Sequence, residues 1–175
     1  MIRMISTGDR KLMLRVNRWL APKWVRVWMV AATRAGDGWL WWALAGAIAL
    51  AGGAQRFHAL FAVGLAVSTG SILFKLLKRT IGRERPCAHE THSWATLLPP
   101  DRFSFPSGHT INAFAVAVPL GIYYPDMLFG LLFCALSVAA SRVILGLHYL
   151  SDVLAGIAIG TAMGIAAAAI ARPPL

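Results

Sequence analysis

Two histidines, an aspartate, a serine and three strong cations fall within three short polar clusters of an otherwise apolar chain, an inventory that suits a tetrahedral anion. The first cluster runs from Lys78 to Pro86 and reads K-R-T-I-G-R-E-R-P. The second is Pro106-Ser107-Gly108-His109, and the third begins at Ser141-Arg142 and continues through His148 to Asp152. Lys78, Arg85 and Arg142 can neutralise a phosphoryl group and hold its oxygens, arginine by a two-pronged grip and lysine as a point charge. Flanking charges at the ends of membrane helices account well for Arg79 and Arg83. They account poorly for Arg142, which sits inside an apolar segment, where an ionisable residue points to function.

His148 and Asp152 are four residues apart, and on a helix their side chains meet. A carboxylate on one ring nitrogen fixes the tautomer and leaves the other nitrogen as a nucleophile. Taken alone, the same pair describes a helix-end histidine with a chance acidic neighbour. The second cluster precedes an apolar run. Ser107 suits an N-cap, Gly108 allows close backbone approach, and the free N–H groups of a helix start attract anions. His109 would stand beside that anion, placed to protonate a leaving oxygen. An ordinary cap with an interfacial histidine has the same sequence. His89, Glu90 and His92 form a further group, but two histidines without clear additional ligands are thin support for a metal. Headgroup contact or plain solvation suits them better.

These clusters need elements to position them. Residues 10–33 alternate cations with Leu12, Val16, Trp19, Leu20, Val27 and Ala31, and Pro22 breaks the run, so two short interfacial helices are expected. A span over 24–35 is disfavoured by Arg26 and Arg34, since a mid-bilayer arginine costs about 2.5 kcal/mol or more. Gly36-Asp37-Gly38 signals a turn. Five spans are expected after it, over about 39–51, 57–77, 107–123, 125–145 and 149–171, with Trp39, Trp41 and Trp42 as an aromatic belt. Residues 80–105 are too polar to span. With five spans, the loops holding the first and third clusters fall on one side, and the second cluster begins the helix leaving that side. His148, Asp152, Gly156, Gly160 and Gly164 recur every four residues and share a helix face, the glycines reading as a close-packing seam. The expected fold is all-α: a polytopic membrane helix bundle in one domain, with an interfacial segment over 1–37 and a transmembrane catalytic core over 38–175.

Composition agrees. Hydrophobic residues make up 58% of 175, where a soluble domain has about 45–50%. A net charge of +10 would suggest nucleic acid in a soluble protein. Here the cations lie at segment ends and in the clusters, and the N-terminal stretch alone carries Arg3, Arg10, Lys11, Arg15, Arg18, Lys23, Arg26 and Arg34. That pattern fits anionic headgroups, so the expected partners are the bilayer and a phosphate carried on a lipid, with no nucleic acid. Cys87 and Cys134 do not make a disulfide framework and read as packing residues. No cleavable signal peptide is expected, because no compact apolar region with a small-residue cleavage site precedes the first span.

The pattern K-x6-R-P, then P-S-G-H, then S-R-x5-H-x3-D resembles that of the type 2 phosphatidic acid phosphatase (PAP2) superfamily, which includes lipid phosphate phosphatases and vanadium haloperoxidases. The resemblance runs from Lys78 to Asp152 and holds at every defining position. It implies that His148 is the nucleophile of a phosphohistidine intermediate, that Asp152 orients it, and that His109 is the general acid. It further implies that Lys78, Arg85, Ser107, Gly108 and Arg142 bind the phosphate, with Pro86, Pro106 and Ser141 in support. No metal and no cofactor are implied, because cations and backbone N–H groups take the metal's place.

The leading expectation is therefore an integral membrane enzyme that hydrolyses a lipid phosphomonoester or diphosphate, such as undecaprenyl diphosphate, phosphatidylglycerol phosphate, phosphatidic acid or lipid A. A lipid-to-lipid phosphotransferase and a non-catalytic binder or transporter of anionic lipid are the alternatives. A haloperoxidase is disfavoured, since those relatives are soluble. The expected location is the cytoplasmic membrane. The basic N-terminus favours a cytoplasmic start and, with five spans, a cytosolic site. The resemblance implies an extracytoplasmic site instead, and a sixth crossing by residues 20–35 would reconcile the two.

Overall fold

The computed structural model describes residues 7–86 and 102–172. These residues form seven helices, in order α1 (Thr7–Arg18), α2 (Lys23–Ala35), α3 (Trp39–Ala51), α4 (Arg56–Ile81), α5 (Gly108–Tyr123), α6 (Leu128–Ile144) and α7 (Leu150–Ile170). Single 3-10 turns at Gly53–Gln55 and Pro125–Met127 lead into α4 and α6. Among the described residues the sole β-type pairing is an isolated bridge between Glu84 and Phe103.

Helix α5 is the axis of the bundle, packed by α4, α6 and α7. Its sequence explains why. Ala113, Ala115 and Ala117 are fully buried, so neighbours come close on several sides. On α7 the small residues form a true seam. A Cβ at Gly160 would lie 2.5 Å from the Ile111 carbonyl oxygen, and one at Gly164 would lie 2.9 Å from Val118 Cβ. Those spaces admit only hydrogen, so the glycine row sets how near α7 lies to α5.

Among the described residues, three segments are long and apolar enough to cross a bilayer: Gly53–Ile81, Pro125–Ile144 and Leu150–Ile170. The other two expected spans are shorter. Helix α3 has 13 residues and α5 has 16, about 20 and 24 Å at 1.5 Å per residue. The shortfall of α5 has a physical reason, because it is wrapped by its neighbours and need not meet lipid along its length.

The two N-terminal helices form where expected, but they are not merely laid on a surface. Helix α2 buries Val25, Met29, Ala32 and Thr33 against the bundle and packs on α6. Helix α1 buries Asp9 and Met13 while Arg10, Lys11, Arg15 and Arg18 face outward. Both lie at the end where α5 and α7 begin. Asp9 reaches Ser151 at the start of α7, and Asp37 reaches His109 at the start of α5. The chain thus leaves and returns to one end of the bundle between residues 9 and 37. A single crossing by residues 20–35 does not fit that path.

Candidate active site

The three polar clusters meet at this end. Gly82 ends α4 with φ +60°, a left-handed turn that suits glycine. The backbone then runs extended, and Ser104 ties it to the second cluster. Ser104 N donates to the Arg83 carbonyl at 2.7 Å, and its hydroxyl donates to the Glu84 carbonyl at 3.1 Å. In an extended segment side chains alternate. Arg83 and Arg85 are both buried, while Glu84 between them pairs with exposed Arg102. Pro86 and Pro106 are buried at the two sides of this pairing.

The third cluster is built by a turn. Gly146 has φ +70°, and the N–H groups of Leu147 and His148 both donate to the Arg142 carbonyl at 3.0 Å. This folds His148 back beside Arg142. His148 therefore precedes α7 instead of sharing its face, since Tyr149 is extended at the N-cap position. Asp152 is still its neighbour, with His148 Nδ1 3.6 Å from Asp152 Oδ2, just beyond hydrogen-bond distance.

On the other side of the ring, Arg85 Nη1 donates to the Leu147 carbonyl at 2.9 Å and lies 3.0 Å from His148 Nε2. A guanidinium has only donors, so Nε2 presents its lone pair and the ring hydrogen sits on Nδ1, facing the carboxylate. His148 is 2% exposed, and it lies in the connection between α6 and α7. Burial above all, and then the Arg142 and Arg85 charges, hold its pKa well below the ordinary value of 6.5. The ring is accordingly neutral at neutral pH, the form that can attack an electrophile.

Ser107 is fully buried, and its N–H donates to the Asp152 carbonyl at 3.1 Å. It occupies the N-cap position of α5, but its hydroxyl does not cap the helix. It accepts from Thr110 Oγ1 at 2.9 Å instead. A Cβ on Gly108 would lie 3.0 Å from the Phe74 ring, and the Lys78 ammonium stands 4.5 Å from that ring's centroid. Phe74 thus brings the end of α4 against the start of α5. Ser141 is buried, with its hydroxyl turned onto the Val138 carbonyl at 2.6 Å, so it supports α6 and not the anion site.

Four contributors were hidden from local sequence spacing. Arg142 Nη1 donates to Thr33 Oγ1 at 2.5 Å, and His109 Nε2 lies 2.7 Å from Asp37 Oδ1. Asp37 was expected only to turn the chain. Its neighbour Gly36 packs so tightly that a Cβ would lie 2.9 Å from Val138 Cγ1 and 3.3 Å from His109 Cδ2. Arg83, expected as a flanking charge, is instead an internal ion-pair centre. Its Nη1 donates to Asp152 Oδ1 at 2.8 Å, and its Nη2 donates to Asp9 Oδ2 at 2.7 Å. A signal for Arg83 was present: two residues before Arg85 in an extended pre-proline segment, it must share that residue's face. Among the described residues no group of three His, Cys, Asp or Glu could hold a metal. His89, Glu90, His92 and Cys87 lie outside those residues.

Such an arrangement offers a neutral, oriented imidazole beside clustered guanidinium groups, with a second histidine held by a carboxylate at the start of the neighbouring helix. That is a layout for nucleophilic displacement at phosphorus.

Comparison with known proteins agrees. A profile of the PAP2 superfamily matches residues 40–173. The chain is 36% identical over 93 residues to the lipid A 1-phosphatase of Rhizobium etli, covering 51% of this chain and 40% of that one. It is 35% identical over 136 residues to the decaprenylphosphoryl-5-phosphoribose phosphatase of Mycobacterium tuberculosis, covering 73% and 68%. Thus the match spans well under half of the first relative and about two thirds of the second. Among solved structures, the PAP2-type phosphatidylglycerolphosphate phosphatase of Bacillus subtilis superposes with a TM-score of 0.72 at 25% identity, over 97% of this chain and 87% of that one. LpxE of Aquifex aeolicus gives a TM-score of 0.80 at 24% identity, over 95% and 98%, and so shares the fold. The chain is a multi-pass membrane protein and belongs to the PAP2 superfamily.

Proposed function

We propose that this protein, acting as one catalytic domain, hydrolyses a phosphomonoester or diphosphate of a membrane lipid through a phosphohistidine on His148. The observation that carries this reading is the placement of the His148 ring, with Nε2 3.0 Å from the Arg85 guanidinium and Nδ1 3.6 Å from Asp152 Oδ2. On substrate binding, Arg85 transfers its donors from Nε2 to phosphoryl oxygens, joined by Arg142, Lys78, the Ser107 hydroxyl and the backbone N–H of Gly108. Nε2 forms a bond to phosphorus as the P–O bond to the lipid breaks. His109 gives the leaving oxygen its proton. Water then attacks the phosphorus and returns a proton to His109, and phosphate leaves as the P–N bond breaks. Cations and N–H groups of the chain meet the negative charge throughout.

The substrate class follows from the membrane setting and the named activities of the relatives. Undecaprenyl diphosphate, phosphatidylglycerol phosphate, phosphatidic acid and lipid A form the panel to test. Purified protein should release phosphate from at least one of them with EDTA present, and His148→Ala should abolish that release. Release that needs added metal, or that survives His148→Ala, would refute the proposal. Release seen only with an added acceptor lipid would make the protein a phosphotransferase.

We further place the site on the outer face of a cytoplasmic membrane, as the family resemblance implies. The charge rule favours the opposite face, because the basic α1 lies at the same end as the site. In a variant without Cys87 and Cys134, Arg18→Cys should react with an impermeant maleimide in intact cells. Labelling by permeant reagents alone would put α1 and the site in the cytosol.

A further inference from the structure

We propose that Arg83 is a positioning residue for the His148–Asp152 pair, and that Asp9 seats it, which makes the basic N-terminal helix part of the active centre. The proposal rests on the reading of His148 and Asp152 given above.

The geometry is a closed ring of donors and acceptors. Arg83 Nη1 donates to Asp152 Oδ1 at 2.8 Å and to Ser151 Oγ at 2.7 Å, and Nη2 donates to Asp9 Oδ2 at 2.7 Å. Asp9 in turn accepts the Ser151 N–H at 3.1 Å on Oδ1 and the Ser151 hydroxyl at 2.5 Å on Oδ2. The guanidinium lies 4.3 Å from the centroid of the Tyr149 ring. The Arg83 side chain is 4% exposed and that of Asp9 is 6%. This is a buried network and not a pair of surface charges, so each member depends on the others.

Its connection to the chemistry runs through the two oxygens of Asp152. Oδ2 accepts the Tyr149 N–H at 2.8 Å and is the oxygen facing His148 Nδ1. Oδ1 accepts from Arg83 at 2.8 Å. The carboxylate is therefore held at both ends, and Arg83 sets its rotation and so the direction in which Oδ2 meets the imidazole. That contact matters most when the ring gains positive character on bonding phosphorus. Among the described residues the Arg83 guanidinium contacts Asp152, Ser151, Asp9 and the Tyr149 ring, so its effect falls on turnover and not on substrate binding.

Asp9 has a second effect. Its carboxylate takes the N–H of Ser151, in the first turn of α7, where the helix N-terminus favours negative charge. A residue of α1 thus caps the helix that carries Asp152. Arginine suits the central place because its planar fork reaches two carboxylates at once, which an ammonium cannot do in the same geometry.

The test is a double-mutant cycle on the full-length protein in mixed micelles, using whichever lipid of the panel above turns over fastest. Arg83→Met should lower kcat about 100-fold and Asp9→Asn about 10-fold, each with KM within about 2-fold of wild type, as expected for groups acting in the transition state. Arg83→Lys should fall between wild type and Arg83→Met. The double variant should match Arg83→Met alone, because Asn keeps an oxygen for the Ser151 N–H and the charge pairing that it loses is the one already lost with Arg83. Losses that multiply to about 1,000-fold, or a folded Asp9→Asn with wild-type kcat, would overturn the proposal. If Asp9→Asn does not fold, Ser151→Ala removes one hydroxyl of the ring and no charge. A loss confined to kcat there supports the proposal, and an unchanged kcat refutes it. His148→Ala separates the two levels. An active His148→Ala removes the underlying reading, whereas an inactive one beside a normal Asp9→Asn removes this inference alone.

Discussion

The two histidines occupy opposite kinds of surroundings within one cleft. His148 is 2% exposed, with a guanidinium on one nitrogen and a carboxylate facing the other. The His109 side chain is 24% exposed, and its partner Asp37 is 55% exposed. A group that must form a bond to phosphorus gains from a fixed direction and from shielding against protonation. A group that must exchange protons with a departing alcohol and then with water gains from contact with solvent. The site thus pairs a buried side with a more open one, and in the proposed mechanism lipid and water would approach from the side of His109.

The largest test of this contrast is removal of each ring. His148→Ala should cost about 10⁴-fold or more in kcat, because it removes the proposed nucleophile. His109→Gln should cost about 10²–10⁴-fold on a phosphomonoester, where an alkoxide needs its proton. On a diphosphate, whose leaving phosphate is a far weaker base, the loss should shrink to about 10-fold or less. Equal losses on both substrates would mean that His109 is not the proton donor. Asp37→Asn should reproduce the same substrate dependence with a smaller loss of about 10-fold, since it removes the partner and leaves the ring.

Acidity tests the buried side next. Burial and the Arg142 and Arg85 charges hold the His148 pKa well below 6.5. Protonation, which would remove the nucleophile, is thereby delayed. As pH falls through 6.5, kcat/KM should stay level and turn down only in more acidic solution. Arg142→Gln takes away part of the repulsion and should move that downturn up toward 6.5. A wild-type downturn at or above 6.5 would contradict the shielding of His148. The smallest expected effect belongs to Thr33→Val, which deletes one hydrogen bond to Arg142. It should raise KM about 3-fold with little change in kcat, as for loss of uniform binding. A loss confined to kcat would show Arg142 acting in the transition state alone.

The expected reacting and anion-binding residues were legible in the sequence and their supports were not. Lys78, Arg85, Ser107, His109, Arg142, His148 and Asp152 stand at fixed spacings within short motifs, and hydropathy alone brings those motifs to one end of a bundle. Helix α3 begins and ends where its apolar run does, at Trp39 and Ala51. The failures have a common cause. Arg83 meets Asp9 and Asp152 across 74 and 69 positions, and Arg142 meets Thr33 across 109. No local periodicity reports such distances. One clue was available, because the chain has only seven acidic residues among 17 cations. In so cationic a membrane protein, Asp9 and Asp37 were candidates for inner partnerships from the start. The geometry of His148 was misread for another reason. The four-residue spacing suggested a shared helix, but Gly146 at φ +70° turns the chain before α7 starts, and the contact arises from the turn.

The glycine row of α7 can also be seen as a gauge. A Cβ at Gly156 would come within 2.9 Å of the Ser107 carbonyl oxygen, one helical turn from Asp152. The clearance between the helix that presents Ser107 and the helix that follows His148 is therefore set to the thickness of a hydrogen atom. Successively larger residues at that position would act as shims of known size, opening the cleft by steps from a point that touches neither phosphate nor lipid. The breadth of the cleft is in this sense written into the helix joint and can be adjusted without altering any reacting group.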